Sequence, residues 1–216
     1  MTVGDGLVRL RANQIGKQTV FGTAVAATSP TYDAGALLCG DTVTTANETY
    51  ASKDVSPSAQ LVPNLVISDG NGGNNYLQTK VNSTGSITPK ALTVVGSTAS
   101  ARPYNGSVVE PLGGAPAFLA AEAPGTGTTA DGKPYTGDSI AIDGTALGAF
   151  ATPDVGTAKA VTVSGVTFSG PQAFDYTLTQ QTGLTANVTP FVATLAGGRP
   201  YNGTTAITGP NLNVAN

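Results

Sequence analysis

The chain has 216 residues, of which 11% are charged, and its net charge is −3. Its ten Lys and Arg are scattered singly, so it lacks an electrostatic footprint for nucleic acid or an anionic membrane surface. His is absent and Cys39 is the single cysteine, which excludes an internal disulfide, a Ser-His-Asp triad and a His-bearing zinc site.

The 28 Gly and 14 Pro interrupt the chain every few residues. The Thr- and Val-rich stretches between them suit pleated strands better than helices, so an all-β protein is predicted. At 40% hydrophobic the chain is too apolar to stay disordered. No stretch approaches the ~20 apolar residues of a membrane span. Met1–Asp5 lacks the charged and apolar regions of a signal peptide, so the chain reads as intracellular or as a fragment targeted by a signal elsewhere. The repeats below favour the fragment.

In chain order, the first landmark is Val20-Phe21-Gly22-Thr23, a degenerate form of a turn that returns twice. Cys39 lies in the apolar Ala36–Gly40 stretch and reads as a buried, inert thiol rather than a nucleophile. Gly40-Asp41-Thr42-Val43 and Lys53-Asp54-Val55-Ser56 follow, then the core strand residues Leu61-Val62 and Leu65-Val66-Ile67. The loop Asp69–Asn75 gathers oxygen ligands, and Asp69, Asn71 and Asn74 are the candidate calcium ligands. It lacks the distant Glu and alternating spacing of an EF-hand loop, so a plain Gly/Asn hairpin turn is the preferred reading and no cofactor is predicted. Tyr76 and Ile87-Thr88-Pro89-Lys90 complete the first set.

The set then recurs in order. Ala91-Leu92-Thr93-Val94 leads to Pro103-Tyr104-Asn105-Gly106-Ser107. A Gly/Pro-rich tract at Ala123–Gly127 precedes Gly137-Asp138-Ser139-Ile140 and Pro153-Asp154-Val155-Gly156. Ala160–Ser164 and Leu184–Val188 alternate apolar and polar residues as half-buried strands do. Tyr176 and Leu178 share a strand face. Val188-Thr189-Pro190-Phe191 then opens a third set, whose turn is Pro200-Tyr201-Asn202-Gly203-Thr204. Recurrence in register predicts two repeat modules, 1–89 and 90–189, and a truncated third at 190–216. About seven short strands per module predict immunoglobulin-like β-sandwiches arranged end to end. Pro89 and Pro190 close each copy with almost no linker, and a small interface is expected there. The tail 190–216 is expected to fray or to borrow an edge from a neighbour.

Asp41, Asp54, Asp138 and Asp154 recur beside Gly or Val, and turn hydrogen bonding explains them more simply than a catalytic carboxylate pair. Lys90 and Lys159 are the candidates for an intramolecular isopeptide bond to Asn or Asp. No catalytic residue is predicted.

These landmarks resemble the YDG-type repeats, and the related "mostly β" repeats, of filamentous-haemagglutinin-like bacterial adhesins. That pattern runs through an ALTV strand, a Tyr-Asp-Gly-Thr turn, a Gly-Asp-x-Val strand, Asp-Val-Gly-Thr, and a Tyr-Thr-Leu-Thr-Gln strand. The second copy supplies it as Ala91–Val94, Tyr104–Ser107, Gly137–Ile140, Asp154–Thr157 and Tyr176–Gln180. The first departs at Val20-Phe21-Gly22. The resemblance implies a non-catalytic stalk or spacer of a large secreted adhesin at the outer-membrane-associated cell surface, with roles in cell adhesion and biofilm. Its partners would be neighbouring repeats of the same polypeptide, then an extracellular polysaccharide or a host or bacterial surface protein, with no nucleic acid and no membrane insertion. A carbohydrate- or protein-binding module within the adhesin is the alternative.

Overall fold

The structure is a computed structural model that describes residues 7–11, 18–20, 30–32, 37–206 and 212–215. The expected turn at Phe21–Thr23 lies outside these. The regular structure described is β, apart from one 3₁₀ turn at Ala173–Asp175.

The first copy contributes β1 (Leu7–Arg11), β2 (Gln18–Val20), β3 (Thr31–Tyr32), β4 (Thr42–Tyr50), β5 (Ser56–Ser68), β6 (Leu77–Val81) and β7 (Ser83–Thr88). These form sheets of order β3-β1-β6 and β2-β7-β5-β4. In β5 the alternating residues Ala59, Leu61, Pro63, Leu65 and Ile67 are all buried, as strand geometry requires of one face. Leu61-Val62 and Leu65–Ile67 thus belong to a single strand. Pro63 lies opposite Glu48 of β4, but pairing with β7 ends at Leu61↔Ser83, so on that side of Pro63 no ladder bond needs an N–H.

The second copy contributes β8 (Lys90–Ala99), β9 (Arg102–Pro103), β10 (Val109–Glu110), β11 (Leu112–Phe118), β12 (Ala141–Phe150), β13 (Gly156–Ser169), β14 (Tyr176–Thr179) and β15 (Thr185–Thr189). Its sheets are β10-β12-β13-β15-β9 and β11-β8-β14. The sequence duplication is also a duplication of pairing. β1 runs parallel to β6 as β8 does to β14, and β2 parallel to β7 as β9 does to β15. Val20 opposes Thr88 in one copy and Pro103 opposes Thr189 in the other. The third copy opens with β16 (Thr194–Gly197), antiparallel to β17 (Leu212–Ala215). Instead of taking an edge from a neighbour, this segment pairs with itself, as β8 does with β11.

The chain divides into two compact units. One comprises residues 1–95, 116–145 and 166–180, and the other residues 96–115, 146–165 and 181–216. Four strands change unit, and each carries a glycine of positive φ near the change: Gly96, Gly114, Gly144 and Gly165. At Gly114 a Cβ would lie 2.1 Å from the Gly96 carbonyl oxygen, so only glycine fits there.

The first unit has two apolar clusters. One is Leu65 and Ile67 with Leu37, Val43, Ala46 and Tyr76. The other joins Ala59 and Ile87 of the first copy to Leu92, Tyr135 and Tyr176 of the second, flanked by Tyr50, Val55, Phe118, Ile140 and Phe168. The expected small interface is therefore a shared core. Its cause is local: β7 ends at Thr88 and β8 begins at Lys90, with Pro89 alone between, so side chains at 87 and 92 enter one cluster. Burying Ile87 (4% exposed) and Leu92 (0%) each contributes about 1.5–3 kcal/mol. The second unit is built on Phe150, Val161, Ala186 and Val188 with Ala99, Leu112 and Leu184.

Cys39 is exposed, against the expectation of a buried thiol. Asp41 N–H donates to Leu38 O at 3.0 Å, and Cys39 and Gly40 both take positive φ, so the thiol sits on the tip of a tight turn.

Candidate functional site

The recurring aspartates and tyrosines meet. In the second copy the Tyr176 hydroxyl accepts the Tyr135 N–H at 2.8 Å and donates to Asp138 Oδ2 at 2.6 Å. In the first, the Tyr76 hydroxyl accepts the Leu38 N–H at 2.9 Å and donates to Asp41 Oδ2 at 2.6 Å. Each amide lies three residues before its aspartate, so one tyrosine hydroxyl closes the turn that carries Gly-Asp ahead of β4 in one copy and of β12 in the other. The turn reading of Asp41 and Asp138 missed this because the tyrosines are 35 and 38 residues away. The signal was present: the two residue types recur together at nearly constant separation. The settings differ in burial. Tyr176 is 5% exposed and burial is the main cause that raises its hydroxyl pKa, with the Asp138 hydrogen bond next. Tyr76 is also raised, chiefly by its bond to Asp41.

The buried latch is also where the copies join. Lys53 Nζ lies 2.9 Å from Asp138 Oδ1, and the Val55 N–H donates to Asp175 Oδ1 at 2.8 Å. Asp175 is fully buried, and its other oxygen has no hydrogen-bond partner among the described residues. Burial raises its carboxyl above the ordinary aspartate value, opposed by the Val55 N–H. The turn Ser52–Val55 is shaped by Asp54 Oδ2 accepting from Ser52 Oγ at 2.8 Å. It therefore docks through one backbone N–H, one cation and an apolar side chain on the second copy's latch. What the arrangement can do chemically is hold two repeats in a fixed register.

A second repeated device went unread in the sequence. Arg102 Nη1 donates to Asn105 Oδ1 at 2.6 Å and Nη2 to Ser107 O at 2.6 Å, clasping the Pro103–Ser107 turn. Arg199 clasps Asn202 and Thr204 O in the same way. The signal was the arginine preceding Pro-Tyr-Asn-Gly in both copies. Arg102 also pairs with buried Glu110, Nε to Oε2 at 2.9 Å, and lies over the Phe150 ring. Such an ion pair satisfies a charge that burial would otherwise penalise.

The two lysines singled out in the sequence differ. Lys90 is fully buried, with Nζ 2.6 Å from Glu122 Oε1, 3.0 Å from Asp131 Oδ1, 2.8 Å from Lys133 O and 4.1 Å from the Tyr135 ring centroid. Burial lowers the Lys90 pKa, but Glu122 and then Asp131 outweigh it and hold the ammonium charged. Burial likewise raises Asp131, and the Lys133 N–H and Lys90 reverse it to well below the ordinary carboxylate value. A charged ammonium lacks the lone pair that attack on a carboxyl needs, so this geometry favours an ion cluster over amide formation. Lys159 instead donates to Thr152 O at 2.7 Å and to Asp154 O, bracing the turn ahead of β13.

Asp69, Asn71 and Asn74 do come together, but as a turn. Asp69 Oδ1 accepts the N–H of Asn71 at 2.8 Å and of Gly73 at 2.7 Å, and Oδ2 that of Asn75 at 3.1 Å. The Asn74 amide donates to Asn71 O at 2.6 Å. The Gly73 N–H is the main cause that holds Asp69 below the ordinary aspartate value. Three backbone donors engage the carboxylate oxygens as in an Asx turn, but the expected hairpin is not formed, because β5 and β6 on either side of the loop belong to different sheets.

No curated protein and no solved structure matches this chain. The YDG domain family matches residues 88–183, the stretch holding the Lys90 cluster, the Arg102 clasp and the Tyr176 latch. This chain therefore contains a YDG domain at residues 88–183.

Proposed function

We propose that this chain is part of the stalk of a large secreted bacterial surface adhesin, a spacer of tandem immunoglobulin-like β-sandwich repeats (1–89, 90–189 and the start of a third) without catalytic function. The observation that carries the reading is the junction: two copies with equivalent strand pairing, one residue between their strands, share a buried cluster and a latch. A spacer under tension needs neighbouring repeats that resist rotation and peeling more than it needs a cleft. Parallel closure of each copy's first two strands on its last two suits that role, because pulling the ends apart loads several ladder bonds together. Its partners are adjoining repeats, and an extracellular polysaccharide or surface protein would be engaged elsewhere in the adhesin. The test is small-angle scattering on chains with one, two and three successive 90–189 blocks. The maximum dimension should grow by a constant increment of roughly 30–40 Å per block, from a strand length of about eight residues. A dimension that fails to grow overturns the spacer reading, and selective binding on a glycan array would favour the binding-module alternative.

A further inference from the structure

The junction turn exists twice. Ser52–Val55 of the first copy corresponds to Thr152–Val155 of the second, as Lys53-Asp54-Val55-Ser56 matches Pro153-Asp154-Val155-Gly156. In the first copy Asp54 and Val55 are half-buried, because the second copy's Asp175 takes the Val55 N–H and its Tyr176 and Phe168 share a cluster with the valine side chain. In the second copy Asp154 is exposed and Val155 is 50% exposed.

The same contrast appears across the prolines. Ile87 and Val188, which precede Pro89 and Pro190, are both buried. Beyond them, Lys90 and Val94 are 0% and 1% exposed, whereas the matching Phe191 and Leu195 are 51% and 63% exposed. The turn is nonetheless already shaped, because Lys159 holds the carbonyls of Thr152 and Asp154. A preformed turn carrying an exposed valine, at the place where its counterpart is covered, is an interface with one side present.

We propose that Thr152–Val155 is a docking face for a further YDG-type repeat, which seats an aspartate equivalent to Asp175 on the Val155 amide and the aromatic face of its own tyrosine latch on the Val155 side chain. Leu195 in β16 and Phe191 just before it lead into that repeat and are buried by it. The occupant is a repeat and not a glycan, because the contact at Val55 pairs a carboxylate with a backbone N–H and an apolar side chain with a second apolar cluster. Pro153 stands where Lys53 does, so this second junction works without the ion pair to an Asp138 equivalent. The inference rests on the repeat reading above and identifies the partner and its contact atoms.

The test compares the 216-residue chain with one in which residues 1–189 are followed by a second 90–189 block. Both carry Cys39→Ser and Val155→Cys, and the reference carries Cys39→Ser and Val55→Cys. In the 216-residue chain a maleimide dye should label position 155 at least tenfold faster than position 55. In the extended chain labelling at 155 should slow at least tenfold, and Asp175→Ala in the appended block should restore part of the rate. Equal labelling at 155 in both chains overturns the proposal. Hydrogen exchange at the unsubstituted Val155 amide gives the same answer if Val55→Cys fails to fold: protection in the extended chain supports docking and its absence refutes it. Repeats that are tethered but undocked would still lengthen stepwise in scattering, so this proposal can fail while the spacer reading stands.

Discussion

Removing one hydroxyl from each tyrosine latch is the sharpest test of how burial sets its worth. Tyr176→Phe keeps the ring in its cluster and deletes the group that accepts from Tyr135 N–H at 2.8 Å and donates to Asp138 at 2.6 Å. A neutral hydrogen bond contributes about 1 kcal/mol and one to a charged group about 1.5–3 kcal/mol. Tyr135 and Tyr176 are 3% and 5% exposed, so water does not replace either bond. The expected loss is about 3 kcal/mol. Tyr76→Phe deletes the same two bonds, but at Leu38, which is 43% exposed, water takes over, and the expected loss is about 1 kcal/mol. Urea unfolding followed by circular dichroism measures both, with the m-value checking that each transition stays two-state. Equal losses, or a loss at Tyr176 below about 1 kcal/mol, would refute the argument that burial makes the junction latch the stronger one.

Three further outcomes follow from the same geometry. Asp175 has a folded pKa raised by burial, so its proton binds more tightly in the folded state; its stabilising contribution is complete below the ordinary carboxylate pKa and is lost as pH rises through the raised value. Asp175→Asn, which keeps an acceptor for the Val55 N–H, should remove the fall in stability as pH rises above the ordinary aspartate range and stabilise the chain at neutral pH; an unchanged pH slope counts against it. Gly114→Ala should cost at least about 2 kcal/mol, from a Cβ placed 2.1 Å from Gly96 O at φ +76°, whereas Gly137→Ala, with open space at φ +91°, should cost about 1 kcal/mol; calorimetric melting separates them. Lys90→Met should destabilise by about 3–5 kcal/mol by leaving Glu122 and Asp131 without their shared cation, and intact mass spectrometry of the unsubstituted chain should give the unmodified sequence mass, whereas a loss of about 18 Da would reveal a Lys90–Asp131 amide.

Much of the β architecture was legible because period-two alternation survives in the strands: Ala160–Ser164 falls inside β13, and Leu184–Val188 overlaps β15. The repeat was legible because turn residues recur in order, and the structure turns that order into equivalent strand pairing. Contacts between distant residues were not legible one residue at a time. Cys39 looked buried because its neighbours are apolar, yet the Cys39-Gly40 pair takes the positive φ values of a turn tip. Lys90 stood out only as a candidate for an isopeptide bond; its burial depends on Glu122 and Asp131, which flank the Gly/Pro-rich tract Ala123–Gly127, whose sequence carries no periodicity. The junction looked slight because Pro89 marks an end of pairing. What it hides is that Ile87 and Leu92 flank the proline closely enough to enter one cluster.

The central claim is that consecutive copies share a core and are energetically coupled. Hydrogen exchange by mass spectrometry on the chain carrying Ile87→Ala tests it most directly, since that substitution removes apolar contact from a residue of the first copy alone. The account predicts faster exchange in β7 together with β8 at Lys90–Thr93 and β14 at Tyr176–Thr179, where the second copy meets the cluster. Faster exchange confined to residues 37–89, with β8 and β14 unchanged, would contradict it.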